Sequence, residues 1–260
     1  MDGPDNAAWE RIYWQAGGGD AFMFYVVYGP LPQDFAVSRS QYRCAGLPAG
    51  VDVMAFTHAA HPDIVDGFRD GHLWTQLDAE QPALATAVAA QDSCVVLRGT
   101  VADPEDLGYF RDGIGLVTWL LDQGGVAVYD PQMFRWWSPA EWRGTVFEPA
   151  APQPRQHVLI LVSEEEDGTE WLHTRGLRKF GRPDLSIHRV PANLRTGVVE
   201  LLERFIEFEA FGGIIDPEEL IRLEVLPEGM RCEHRGSLDD PDFNNVHVEI
   251  LWPDDARGTG

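Results

Sequence analysis

Ser93-Cys-Val-Val-Leu97-Arg-Gly-Thr-Val-Ala-Asp103-Pro-Glu-Asp106-Leu107-Gly-Tyr-Phe110-Arg-Asp-Gly-Ile114-Gly-Leu-Val117-Thr-Trp-Leu-Leu121-Asp-Gln-Gly124-Gly-Val126-Ala-Val-Tyr129 changes its hydrophobic rhythm twice. It begins with a short β-branched and apolar run, Cys94 to Leu97, which suits a buried strand. Asp103, Pro104, Glu105 and Asp106 then supply a cap, a first-turn proline and an acidic first turn, so a helix is expected from there. Leu107, Phe110, Ile114, Val117 and Leu121 recur three and four residues apart and mark one core-facing stripe. Gly124-Gly125 stops the helix, and Val126 to Tyr129 is a second strand. Strand, helix and strand in one stretch predict a mixed fold. Gly108, Gly113 and Gly115 each cost a helix about 1 kcal/mol against alanine, so close packing or a bend is expected there.

Working outward from this unit, Ala21 to Tyr28 (AFMFYVVY) is aromatic and β-branched and ends at Gly29-Pro30, the mark of another buried strand. Val51 to Thr57 is read as its partner. Pro82 behind Asp78 and Glu80 opens a short helix over Ala83 to Ala90. Phe134, Trp136, Trp137 and Trp142 form an aromatic cover over a sheet. Residues 1–19 carry Trp9, Ile12, Tyr13 and Trp14 on a short helical spacing and end in Gly17-Gly-Gly19, which reads as a flexible leader and hinge.

Glu148-Pro-Ala-Ala-Pro-Gln-Pro154 has three prolines and nothing to bury, which places a linker over 149–154 between domains at 20–148 and 155–253. In the second half, His157 to Ser163 and Glu170 to Thr174 bracket the acidic Glu164-Glu-Glu-Asp-Gly168, a hairpin with a solvated turn. Leu185 to Val190 is a third strand. Leu194, Val198, Leu201, Leu202, Phe205 and Ile206 mark a long amphipathic helix ended by Gly212-Gly213. Asp216-Pro-Glu-Glu219 starts a further turn or short helix, and Ile221 to Leu226, Met230 to His234 and Val246 to Leu251 are closing strands. Residues 254–260 form a disordered tail. The expected class is α+β, in two α/β sandwich-like domains with mixed or antiparallel sheets packed on helices.

Composition narrows the functional classes. The 260 residues hold 42 acidic and 20 basic side chains, a net charge of −22. Cut at position 150, the two halves carry net charges of −12 and −10, so the acidity is spread through the chain. Such a field repels phosphate backbones and anionic lipid, which argues against nucleic acid and membrane surfaces and favours a basic protein partner. Cys44, Cys94 and Cys232 are odd in number and far apart, which suits a reducing compartment and no disulfide framework. With neither a signal peptide nor an apolar run of about 20 residues, a cytoplasmic protein is expected.

One stretch runs against the acidic background. His173-Thr-Arg-Gly-Leu-Arg-Lys-Phe-Gly-Arg-Pro-Asp184 holds Arg175, Arg178, Arg182 and Lys179, the only lysine in the chain. Glycines at 176 and 181 beside arginine forks are the ingredients of an anion-binding concavity, so Arg175, Gly176, Arg178, Lys179 and Arg182 are the candidate ligand-binding residues. The structural alternative is that these cations pair with surrounding carboxylates and hold the loop against the acidic body. Thr174 to Leu185, followed by a strand and a long helix, resembles the glycine-phenylalanine-glycine-proline-acid segment of an uncharacterised family of bacterial domains of unknown function. The resemblance implies a bacterial α+β domain and carries no activity or catalytic residue across.

No other motif names a reaction. His58, His61, Asp63, Asp66, Asp70 and His72 have the residue types of a metal site, but Pro62 is expected to break the helix that would align them, so no metal is assigned. Cys94 lies in an apolar strand that would raise its thiol pKa. Neither a nucleophile elbow nor a phosphate loop occurs, and Asp239-Asp-Pro-Asp242 lacks the glycine and closing glutamate of a calcium loop. No catalytic residue and no cofactor is assigned. Two functions follow: a non-enzymatic acidic binding protein of immunity or adaptor type engaging a basic protein, or an enzyme or sensor holding a small anionic ligand at loop 173–184.

Overall fold

The structure, a computed structural model, describes residues 9–217 and 224–253. The chain forms two compact units: residues up to 9 with 22–153, and residues 10–21 with 154–260. Each is a sheet packed on helices.

The first unit contains, in order, β1 (Ala21–Tyr28), α1 (Arg39–Tyr42), β2 (Val51–Thr57), α2 (Pro62–Asp66), α3 (Gly71–Glu80), α4 (Pro82–Ala89), β3 (Ser93–Val101), α5 (Gly108–Asp122), β4 (Ala127–Asp130), β5 (Arg135–Trp137) and α6 (Pro139–Trp142). Its sheet runs β2-β3-β1-β4-β5. The strand over 51–57 pairs antiparallel with β3, not with β1 as expected, and β1 pairs with β4. Alternation along β1 divides the core. Val26 and Tyr28 join Val65, Leu77, Leu84 and Val88 of α2, α3 and α4. Met23 and Tyr25 point the other way, where Tyr25 meets Trp142 edge-on at 5.5 Å and the Trp142 indole N–H donates to Thr118 Oγ1 at 3.0 Å. The glycines of α5 mark close packing: a Cβ on Gly113 would lie 2.0 Å from Met23 Cε, and one on Gly115 2.2 Å from the Tyr42 carbonyl.

Two local readings are corrected. The helix expected from Asp103 starts at Gly108, with Leu107 as its N-cap, and the Asp106 carboxylate one residue earlier accepts the Gly108 N–H at 2.7 Å. Pro62 begins α2 instead of breaking a helix, since a first-turn proline gives up no helical hydrogen bond.

The second unit contains β6 (Leu159–Glu164), β7 (Glu170–Arg175), β8 (Asp184–Val190), α7 (Arg195–Ala210), β9 (Arg231–Gly236) and β10 (Val246–Leu251). Its sheet runs β6-β7-β8-β10-β9 and is mixed: β8 and β10 are parallel, the other pairs antiparallel. Leu172, Ile187, Val248 and Ile250 are buried, as are Val198, Leu201, Leu202 and Ile206 on α7, which packs on β7 and β8. Each such side chain contributes about 1.5–3 kcal/mol by leaving water. Residues 10–21, of which 10–19 read from sequence as the end of a leader, run beside the end of α7, where the Tyr13 N–H donates to the Phe211 carbonyl at 2.9 Å and the Gln15 N–H to that of Gly212 at 3.1 Å. Gly212 has φ of +100°, and a Cβ there would strike Trp14 Cα at 2.5 Å. Of the strand expected over 221–226, residues 221–223 lie outside the described residues and 224–226 form a turn and bend. Residues 218–219 and the tail over 254–260 also lie outside them.

Candidate functional site

The basic stretch leaves β7 at Arg175, makes one tight turn over Leu177–Phe180 and enters β8 at Asp184. Its amides bond within the loop. The Lys179, Gly181 and Arg182 N–H groups donate to the Gly176, Arg178 and Leu177 carbonyls, and the Leu177 N–H donates to Asp184 Oδ1. Gly176 and Gly181, with φ of +121° and +63°, serve close backbone approach: a Cβ would lie 2.5 Å from the His157 carbonyl in the first case and 2.3 Å from that of Gly19 in the second.

The cationic side chains diverge from this turn and donate to backbone carbonyls. Arg175 reaches the Asp242 carbonyl, and Arg178 that of Asn244 at 2.7 Å. Lys179 is 0% exposed and its Nζ donates to the His157 carbonyl at 2.9 Å. Arg182, 2% exposed, donates from Nε to Gly213 at 2.9 Å and from Nη2 to Gly212 at 2.7 Å. Arg11 joins it, donating from Nε to the Ala210 carbonyl at 3.1 Å and from Nη2 to that of Phe180 at 2.8 Å. Helices end with unbonded carbonyls and a negative dipole end, so Arg11, on the Ala210 carbonyl, caps the end of α7, while Arg182 holds the carbonyls of the turn just beyond it. Arg175, Gly176, Arg178, Lys179 and Arg182 thus belong to one loop, with Arg175 and Arg178 reaching the 242–244 segment, Lys179 the His157 carbonyl and Arg182 those of Gly212 and Gly213.

Two carboxyls lie beneath them. Asp184 is pushed up to about 6 by burial, against hydrogen bonds from Asn245, the Thr174 hydroxyl and the Leu177 N–H. Glu209, on the last turn of α7 and 0% exposed, is raised well above the usual carboxylate range by burial and then by the charge of Asp184, with Arg182 opposing.

The sheet face opposite α7 carries chemistry that the sequence reading passed over. Register places His173, Ser186 and Glu249 in one row across β7, β8 and β10, and His247 beside Asp184 and Arg235 in the next. Trp171 stacks on His173 with centroids 3.9 Å apart and on His188 at 4.8 Å, the latter pair within 6° of parallel. Phe243 stacks on His247 at 4.2 Å and meets His173 edge-on at 5.4 Å. The Trp171 indole N–H donates to Ser186 Oγ at 2.9 Å. His173 is 6% exposed and its Nδ1 has no hydrogen-bond partner among the described residues. Burial and then the Arg175 charge push the His173 pKa down to about 4, and burial lowers that of His247. His173 is therefore neutral at pH 7. At the open edge, the His188 imidazole is held at Nδ1 by Glu165 at 2.8 Å. Partial burial pushes the Glu165 carboxyl up, but the bonds from His188, the Arg189 N–H and Thr169 outweigh it and hold the group below its ordinary range. The signal for this face was present in the sequence: Trp171, His173 and Arg175 alternate, as do Ser186 with His188 and His247 with Glu249.

In the first unit, His58 Nε2 lies 3.0 Å from Asp66 Oδ2 and His61 stands edge-on to Phe56 at 5.3 Å. Among the described residues no group of three or more His, Cys, Asp or Glu side chains is arranged to hold a metal ion. Burial pushes the Cys94 thiol up to about 11, an unreactive setting. No helix among the described residues is long and apolar enough to cross a membrane. Comparison with known proteins returns no match, whether to a family model, a curated protein or a solved structure.

Proposed function

We propose that this chain is a non-catalytic, acidic binding protein that engages a basic protein partner, in the manner of an immunity or adaptor protein of the bacterial cytoplasm. The observation that carries this reading is the inward orientation of the basic stretch. Arg175, Lys179 and Arg182 are buried and donate to backbone carbonyls, so the most basic segment of the chain adds little positive charge to the surface. A net charge of −22 then presents an acidic exterior that steers a cationic surface into contact. The same orientation weighs against the alternative, a small anionic ligand held at the loop by Arg175, Arg178, Lys179 and Arg182, because an anion would have to displace internal hydrogen bonds worth about 1.5–3 kcal/mol each.

Capture of tagged protein from its native host at about 50 mM and about 500 mM salt tests the reading, since the Debye length falls severalfold across that range. A stoichiometric basic protein that is retained at low salt and lost at high salt is expected. A partner held equally at both, or a retained anionic metabolite and no protein, refutes it.

A further inference from the structure

We infer that the open edge of the imidazole and indole stack in the second unit, formed by Trp171, His188 and the acidic turn of the β6–β7 hairpin, receives an arginine side chain of the basic partner. The inference rests on the function proposed above and names the contact within it. A guanidinium is planar, cationic and weakly hydrated, so it prefers a surface that offers ring faces and carboxylates together. Here the His188 ring lies nearly parallel to Trp171, and its side chain is 44% exposed, leaving ring surface open to a further planar group.

The edge is also fixed in place. Glu165 holds His188 Nδ1, and Glu165 is itself held by the Arg189 N–H at 2.6 Å and the Thr169 hydroxyl at 3.2 Å. The indole of Trp171 is pinned to Ser186. Little side-chain freedom remains to be lost on binding. Glu164, Glu166 and Asp167 are exposed on the same turn, with Arg189 the local countercharge. A donor-rich planar cation matches the exposed ring face and the carboxylates together. Lysine, a hydrated point charge, matches only the carboxylates.

The test is calorimetric titration of hexa-arginine and hexa-lysine peptides into the full chain at low salt. The arginine peptide is expected to bind at least ~5-fold more tightly. His188→Ala should weaken the arginine peptide by ~3- to 10-fold and leave the lysine peptide unchanged. The combined variant Glu164→Gln, Glu166→Gln, Asp167→Asn, confined to exposed positions, should weaken both, with circular dichroism confirming that each variant folds. Equal affinity for the two peptides, no binding of either, or indifference of the arginine peptide to His188→Ala overturns the site. If host capture still yields a salt-sensitive basic protein in that case, the broader reading survives without this contact. Arginine preference with no basic protein captured gives the reverse result.

Discussion

Replacing Lys179 separates a structural lysine from a ligand-binding one. Its side chain has no exposed surface and its ammonium donates to the His157 carbonyl. In Lys179→Ala three methylenes leave the interior, at about 0.8 kcal/mol each. The lost charged hydrogen bond adds about 1.5–3 kcal/mol. Relief of the buried charge's desolvation offsets part of this. A net loss of about 3 kcal/mol is expected, a large share of the 5–15 kcal/mol that typically separates folded from unfolded chains. Lys179→Met keeps an unbranched apolar chain in place of most of the lost methylenes and should cost about half as much. Urea unfolding followed by hydrogen-exchange mass spectrometry over peptides of the second unit measures both losses. A Lys179→Ala variant within about 0.5 kcal/mol of the parent, the range of an ordinary surface substitution, would refute the interior role and return this lysine to the ligand hypothesis.

Other outcomes follow from the same unit. The His173 pKa lies below that of an unfolded histidine, so its contribution to stability is present above about pH 6.5 and is lost as pH falls towards 4. The stability difference between the parent and His173→Phe should therefore shrink by up to about 2 kcal/mol between pH 6.5 and 5, measurable in paired urea titrations; a constant difference would show that His173 does not titrate in this way. Glu209 has the opposite sign. Its raised pKa favours folding below the unfolded value, and that advantage is lost as pH rises through the folded value, so Glu209→Gln should gain most over the parent at pH 8. A variant with a lower urea midpoint than the parent at pH 8 contradicts this. Gly181→Ala combines positive φ with a Cβ 2.3 Å from the Gly19 carbonyl and should lower stability by more than about 2 kcal/mol, with the largest loss of amide protection at residues 10–21. Arg182→Ala should accelerate exchange in the turn after α7, around Gly212 and Gly213; unchanged rates would show that the arginine does not hold that turn.

Segments whose local pattern had one solution were legible from sequence. Val246 to Leu251 forms a strand over those same residues, and the hairpin around Glu164 to Gly168 and the helix before Gly212 follow from alternation and amphipathic spacing. Weak or shared signals misled. Gly71–Glu80 is a helix of nearly even polarity, so its sequence carries no strong stripe. Asp103 suits a cap by residue type, but the helix begins at Gly108 with Leu107 as its N-cap. The pairing of β2 with β3 is a long-range choice that a strand's own composition does not encode. The unusual charge of the basic stretch was visible at once. Its role was not, because the carbonyls that receive Arg182 come from Gly212 and Gly213, which reach it only through the fold of α7.

The membership of residues 10–21 in the second unit bears on the order in which the protein can be completed. These residues are made before the rest of the unit, yet Arg11 bonds to carbonyls of Phe180 and Ala210, which are synthesised 169 and 199 positions later. At bacterial or eukaryotic elongation rates of about 5–20 residues per second, the early segment waits roughly 10–40 s on the ribosome before its counterpart exists. The second unit cannot mature as an autonomous downstream piece, and a fragment starting at Pro154 would be made without the arginine that closes its longest helix. The second unit therefore gains these bonds only once synthesis has passed Ala210.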